Sequence, residues 1–141
     1  MKEVFPLSSR ESYAVVTVLI GSGGFFEDVD LILDTGAART TVSKVVAADI
    51  GIDLRKGRLT TVSRLGGATS VIVVPVSVDL LGRTVAAHDI QFADFSYSVW
   101  YGGRERRCRG LLGNDLLRAA NLRAVIDVPK NRAVLATHDL R

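Results

Sequence analysis

Leu31-Ile32-Leu33-Asp34-Thr35-Gly36-Ala37 is the stretch on which the reading of this chain turns. Three apolar residues run straight into a carboxylate, and the glycine two places later permits a sharp turn. An aspartate at the end of a buried strand is held close to apolar walls, where an idle charge is costly. Downstream, Gly110-Leu111-Leu112-Gly113 offers a second apolar pair leading into a glycine, suited to a strand packed tightly beside the first.

Around these two segments the apolar residues come mostly in short β-branched runs broken by Gly, Asp and Asn, the pattern of strands and turns. Tyr13–Ile20 and Phe25–Leu33 flank Gly21-Ser22-Gly23-Gly24 and read as a hairpin. Arg58–Leu65 and Ala68–Asp79 flank Gly66-Gly67, and Leu80-Leu81-Gly82-Arg83 turns again before Thr84–Phe92. Ser96–Tyr101 reads as a further strand, and Leu122–Val128 with Ala133–Thr137 as a closing hairpin. Thr40–Asp49 has helical spacing with Thr40 or Thr41 as its cap, and Asn114–Ala120 has it with Asn114 or Asp115 as cap. The expected fold class is all-β with one or two short helices, and with no linker or repeat in view residues 1–141 are expected to form a single domain.

Composition narrows the function. With 48% hydrophobic and 23% charged residues the chain is too apolar for a disordered tail. Runs such as Val71–Val76 fall far short of the roughly 20 residues a spanning helix needs, so no membrane partner is expected. Acid and proline in Met1-Lys2-Glu3-Val4-Phe5-Pro6 precede any apolar stretch, unlike a secretory signal, and the expected location is cytoplasmic. The lone Cys108 closes no intrachain disulfide, and His88 and His138 lack ligand spacing, so no metal or other cofactor is expected. Both histidines read as ordinary surface or partly buried side chains. The net charge of +3 is modest for nucleic-acid binding, and no nucleic-acid partner is expected.

Taken together, Leu31 to Ser43, the Gly66-Gly67 hairpin and Gly110 to Leu117 resemble the retropepsin-like aspartic proteases, single-domain relatives of pepsin. The resemblance covers most of the chain. It implies a closed, mostly antiparallel β fold, functional as a symmetric homodimer, with a flap hairpin whose tip is Leu65, Gly66, Gly67 and Ala68. It implies no cofactor and a peptide or protein substrate. Aspartic proteolysis needs two carboxylates sharing a proton, one activating water and the other donating to the carbonyl oxygen. Only one Asp-Thr-Gly is present, so the expected enzyme is a C2 dimer with Asp34 of each copy on the axis.

By position, the resemblance implies that Asp34 is the catalytic carboxylate, that Thr35 braces the two loops across the dimer, and that Gly36 lets substrate and water approach. Ala37 stands where pepsin-like enzymes carry Ser or Thr, which moves the expected working range toward neutral pH. Asn114 stands where viral members carry an Arg that ties the dimer interface to the active-site loop. Val42, Leu111, Leu112 and Gly113 are candidates for the substrate pocket, Val42 and the two leucines equally for plain core.

Other acids read as structural: Asp115 as a helix cap, Asp127 on the outer face of a strand, Asp28 and Asp30 as solvated. The cluster Arg104, Arg106, Arg107 and Arg109 reads as a solvated loop, as an acidic-partner or nucleic-acid patch with Trp100 and Tyr101 beside it, or as a cleft rim favouring acidic substrate residues. Two function classes follow: an aspartic endopeptidase, or a non-catalytic retropepsin-like dimerisation and peptide-binding module.

Overall fold

The computed structural model describes residues 1–64 and 67–137. Twelve strands are described: β1 (Lys2–Pro6), β2 (Val15–Ser22), β3 (Phe25–Leu33), β4 (Thr41–Ser43), β5 (Arg58–Arg64), β6 (Gly67–Leu80), β7 (Arg83–Ala93), β8 (Tyr97–Tyr101), β9 (Arg104–Cys108), β10 (Gly110–Leu112), β11 (Leu122–Asp127) and β12 (Arg132–Thr137). Two short six-residue helices, α1 (Lys44–Asp49) and α2 (Asn114–Ala119), and a 3-10 turn at Leu54–Lys56 interrupt them.

The large sheet runs β2-β3-β10-β4-β7-β6-β5, and β2 also pairs with β6 through Leu19↔Asp79 and Gly21↔Ser77. That second pairing closes six strands into a ring and leaves β5 outside it. The fold is the closed, mainly antiparallel β structure expected, with two parallel pairings, β10 beside β3 and β4 beside β7. Inside lie Val16, Val18, Ile20, Leu31, Val78, Leu80, Ile90 and Phe92, all essentially inaccessible, in alternation with outward polar residues. A three-stranded sheet, β1-β12-β11, and the hairpin β8-β9 flank the ring.

Several local expectations are corrected. Lys2–Pro6 forms a strand with no period-2 apolar signal, since four of its five residues stay exposed. Ser43 caps α1, its Oγ accepting from the Val45 N–H, because the Thr40 hydroxyl is committed elsewhere. Gly113 occupies the cap position of α2 without a side-chain bond, so neither Asn114 nor Asp115 is the cap. The Arg104–Cys108 cluster is a strand paired with Tyr97–Tyr101 rather than a loop. Of the expected flap, β5 and β6 pair out to Arg64↔Gly67, with Gly67 and Ala68 exposed at the start of β6. Leu65 and Gly66 lie outside the described residues.

Candidate active site

Asp34 follows the last residue of β3, beside β10. Parallel pairing sets Leu111 against Ile32 and Leu112 against Leu33, and the Asp34 N–H donates to the Leu112 carbonyl at 3.0 Å. Oδ1 of Asp34 accepts from the Gly36 N–H at 3.0 Å, and Ala37 N–H donates to the Asp34 carbonyl at 3.1 Å. The half-buried carboxylate therefore heads a tight turn that its own oxygen helps to close. Gly36 does not adopt a left-handed conformation; a Cβ there would lie 3.3 Å from Asp34 Oδ1.

The start of α2 holds this turn from behind. Asn114 Nδ2 donates to the Thr35 carbonyl at 2.7 Å, Asn114 N–H to the Ala37 carbonyl at 2.9 Å, and Asp115 N–H to the Ala38 carbonyl at 3.2 Å. Asn114 thus ties the Asp34 loop to α2 within one copy. Gly113 N–H donates to Thr40 Oγ1, whose hydroxyl donates to Asp115 Oδ1 at 2.7 Å, while His88 Nε2 lies 3.0 Å from Asp115 Oδ2. Burial pushes the Asp115 carboxyl upward, but the bonds from His88, Thr40 and the backbone outweigh it and hold the acid below its ordinary value. Gly113 itself must be a glycine: a Cβ would meet the Arg39 carbonyl carbon at 2.6 Å and the Ala37 oxygen at 3.0 Å.

Two cavities border the Asp34 turn, the first lined by Asp34 itself and the second by the residues that follow it. One, of about 220 Å³, is lined by Asp34 and by Tyr13, Ile32, Phe95, Tyr97 and Leu111. The other, of about 340 Å³, lies between the Gly36–Arg39 backbone and Val62-Ser63 of the hairpin strand β5, with Gln91 and again Leu111. Leu111 is the wall common to both. Val42 and Leu112, in contrast, are fully buried in the core, and Gly113 backs the loop rather than lining either cavity. Tyr13, Phe95 and Tyr97 line the first cavity, although in the sequence they read only as members or neighbours of strands.

The basic cluster lies elsewhere. Arg106 forks onto Asp30, with Nε 2.9 Å from Oδ2 and Nη2 3.1 Å from Oδ1, and Thr17 Oγ1 donates to the same carboxylate at 2.6 Å. Asp30 is therefore not a solvated strand acid. Neither cavity beside Asp34 is lined by an arginine of the cluster. Arg10 sits 4.2 Å over the Trp100 ring, and the Tyr101 hydroxyl accepts from Val15 N–H and donates to the Tyr13 carbonyl, so both aromatics are engaged within the fold. Asp127 accepts from the Lys130 N–H at 3.3 Å and closes the β11–β12 turn. Among the described residues no helix is long and apolar enough to cross a membrane.

Comparison with known proteins agrees with this geometry. The family model described as aspartyl protease matches residues 16–116. A retropepsin-like aspartic protease from Rickettsia conorii superposes with a TM-score of 0.64 at 19% identity, over 96% of this chain and 90% of the other. The EIAV protease complexed with the inhibitor HBY-793 superposes with a TM-score of 0.54 at 22% identity, over 78% of this chain and 89% of that one. No curated protein matches the chain.

Proposed function

We propose, from the premise that the chain belongs to the aspartyl protease family, that it is an aspartic endopeptidase whose catalytic dyad forms from Asp34 of two copies. The observation that carries the reading is the placement of Asp34. Its carboxylate stands where β3 leaves the core, at the mouth of an apolar cavity, with one oxygen held by the Gly36 N–H.

A single such group cannot both activate a water and protonate a carbonyl oxygen in one step. Two, related by a two-fold axis, share one proton: the ionised member takes a proton from water as it attacks the scissile carbonyl, and the protonated member donates to the carbonyl oxygen. The resulting tetrahedral species collapses with proton transfer to the leaving nitrogen. No covalent bond to the protein forms at any stage.

The surroundings support peptide as substrate. An extended chain lying across the Asp34 turn meets both cavities, the first walled by aromatic and aliphatic side chains, the second roofed by β5 of the flap hairpin. In this reading Gly67 and Ala68, at the exposed start of β6, belong to the flap. Residues 1–141 act as one domain in this reading. In this reading the second copy docks on the side of Thr35; the features that support it are a cavity of about 410 Å³ reaching from Thr35 and Asn114 to Leu122 and Ala124, and the exposed Val125 and Ile126 of β11.

The deciding experiment is cleavage of a peptide library by the wild type and by Asp34→Asn. Asp34→Asn removes both carboxylates of the dimer's dyad, and turnover is expected to fall by more than the roughly 10²–10⁴-fold that loss of one general acid–base group costs. Equal turnover by both proteins would discard the assignment.

A further inference from the structure

His88 has no part in the chemistry above, yet it is one of the more deliberately placed side chains in the fold. Between β6 and β7 the register slips from Val76↔His88 to Val78↔Val85, so Ala86 and Ala87 of β7 stand against Ser77 alone. Ala87 takes φ 51°, the left-handed region that a Cβ disfavours. A bulge of this kind re-aims the side chains that follow it. Here it sets His88 opposite Val76, which is buried, and so on the interior side of the pair.

An imidazole there is 14% exposed and needs a partner; Asp115, 11% exposed, supplies it at 3.0 Å. Asp115 is in turn bonded to Thr40 at one end of the Asp34 loop, while its own N–H holds the Ala38 carbonyl within that loop. Thr40 completes a circuit by accepting from Gly113 N–H. His88 Nε2 is the one ring nitrogen described against the Asp115 carboxylate. The far end of α2 is fixed independently, since Arg83 of β7 donates to the Ala120 carbonyl.

We propose that His88 is a positioning residue for Asp34: by holding the Asp115 carboxylate it fixes residues 34–40 against β10 and the start of α2. The consequence for catalysis rests on the proteolytic reading of Asp34; the brace itself does not. With His88 absent, the Asp115 carboxylate loses its imidazole partner and is left with the Thr40 hydroxyl among its described side-chain partners, a buried acid incompletely satisfied. The carboxylate then turns toward solvent and gives up Thr40, and the first turn of α2, whose Asp115 N–H holds the Ala38 carbonyl, loosens with it.

The test compares His88→Leu, which removes the donor, with His88→Gln, whose amide can still reach Asp115. Amide hydrogen exchange is read in segments 34–41 and 113–117, with the β11–β12 hairpin as internal control. His88→Leu is expected to speed exchange in both segments by about tenfold while the control is unchanged, and His88→Gln to restore most of the protection. In peptide cleavage, His88→Leu is expected to lower kcat by about tenfold with KM nearly constant, as a misplaced reacting group does.

Unchanged exchange in the His88→Leu loop segments overturns the proposal. So does an equal rise in loop and control segments with Leu and Gln alike, which marks general loosening. Cleavage of no peptide by the wild type would remove the protease reading, and the exchange result would still decide the brace.

Discussion

Arg106 and Asp30 form a two-pronged ion pair, Nε to Oδ2 at 2.9 Å and Nη2 to Oδ1 at 3.1 Å, that joins the β8–β9 hairpin to the outer face of β3. Since β8 begins with Tyr97, one wall of the smaller cavity beside Asp34 depends on where this hairpin sits. Asp30 is only partly covered and Arg106 is 42% exposed, so solvent screens the attraction. Arg106→Met is expected to cost about 1 kcal/mol in urea denaturation, and a double-mutant cycle with Asp30→Asn should return a coupling of that order.

The same pair, with Asp115, sets the acid limit of the fold. Burial raises the Asp30 carboxyl, but the Arg106 and Thr17 bonds outweigh it, and the acid lies below its ordinary value, as Asp115 does. A carboxyl depressed in the folded state stabilises fully above its unfolded value near 4 and loses that contribution as pH falls through the lower folded value. The melting temperature should therefore hold from neutrality to about pH 5 and drop below about pH 4. Asp30→Asn should flatten that drop; an unchanged acid slope in the variant would remove Asp30 from the account.

Gly113→Ala should be among the more damaging single changes. The added methyl meets backbone atoms of Arg39 at 2.6 and 2.7 Å, which cannot rotate away. Overpacking of this sort costs about 1–3 kcal/mol, and here relief comes only by displacing the Asp34 loop. Under conditions where the variant is still folded by circular dichroism, peptide cleavage should be reduced further than stability alone explains.

Cys108 should be chemically silent in the folded protein. It is fully buried beside Val15, Ile32 and Val99, and burial chiefly pushes its thiol up to about 11. Thiolate is the reactive form, so Ellman's reagent should label it at the rate of unfolding. Rapid labelling of native protein would contradict the packing described.

Equal mixing of wild type with Asp34→Asn tests the shared dyad. If subunits exchange freely, only about one quarter of dimers carry two intact carboxylates, and activity should fall to that fraction rather than to one half. Sedimentation should show a dimer over the range where activity per chain is constant.

Much of this architecture was written locally. The hairpins of Val15–Leu33, Gly67–Ala93 and Leu122–Thr137 announce themselves through alternation and glycine turns, because one face of each strand is buried. Lys2–Pro6 escaped because it is exposed on nearly every position and owes its strand state to pairing with β12. Helix caps were misassigned where a hydroxyl or carboxylate had a stronger distant partner: Thr40 and Asp115 bond to each other across 75 positions. The Asp34 turn was readable from its motif, whereas the aromatic wall of Tyr13, Phe95 and Tyr97 was not, since periodicity places residues on strands without saying which strand ends converge. The sequence leaves His88 as an ordinary surface or partly buried side chain; it is partly buried, and its aim at Asp115 depends on a bulge at Ala87 that no residue type signals.

The pairing of β1 with β12, Phe5 against Ala133, also bears on how the molecule comes into being. On a ribosome, β1 emerges early and finds no hydrogen-bonding neighbour until β12 has cleared the exit tunnel. Pairings so remote along the chain form late, after the loop between them has closed. Assembly of the small sheet is thereby deferred until the Asp34 turn, β10 and α2 have all been synthesised, so a nascent chain would hold the Asp34 turn and its braces before it holds the sheet that β1 completes.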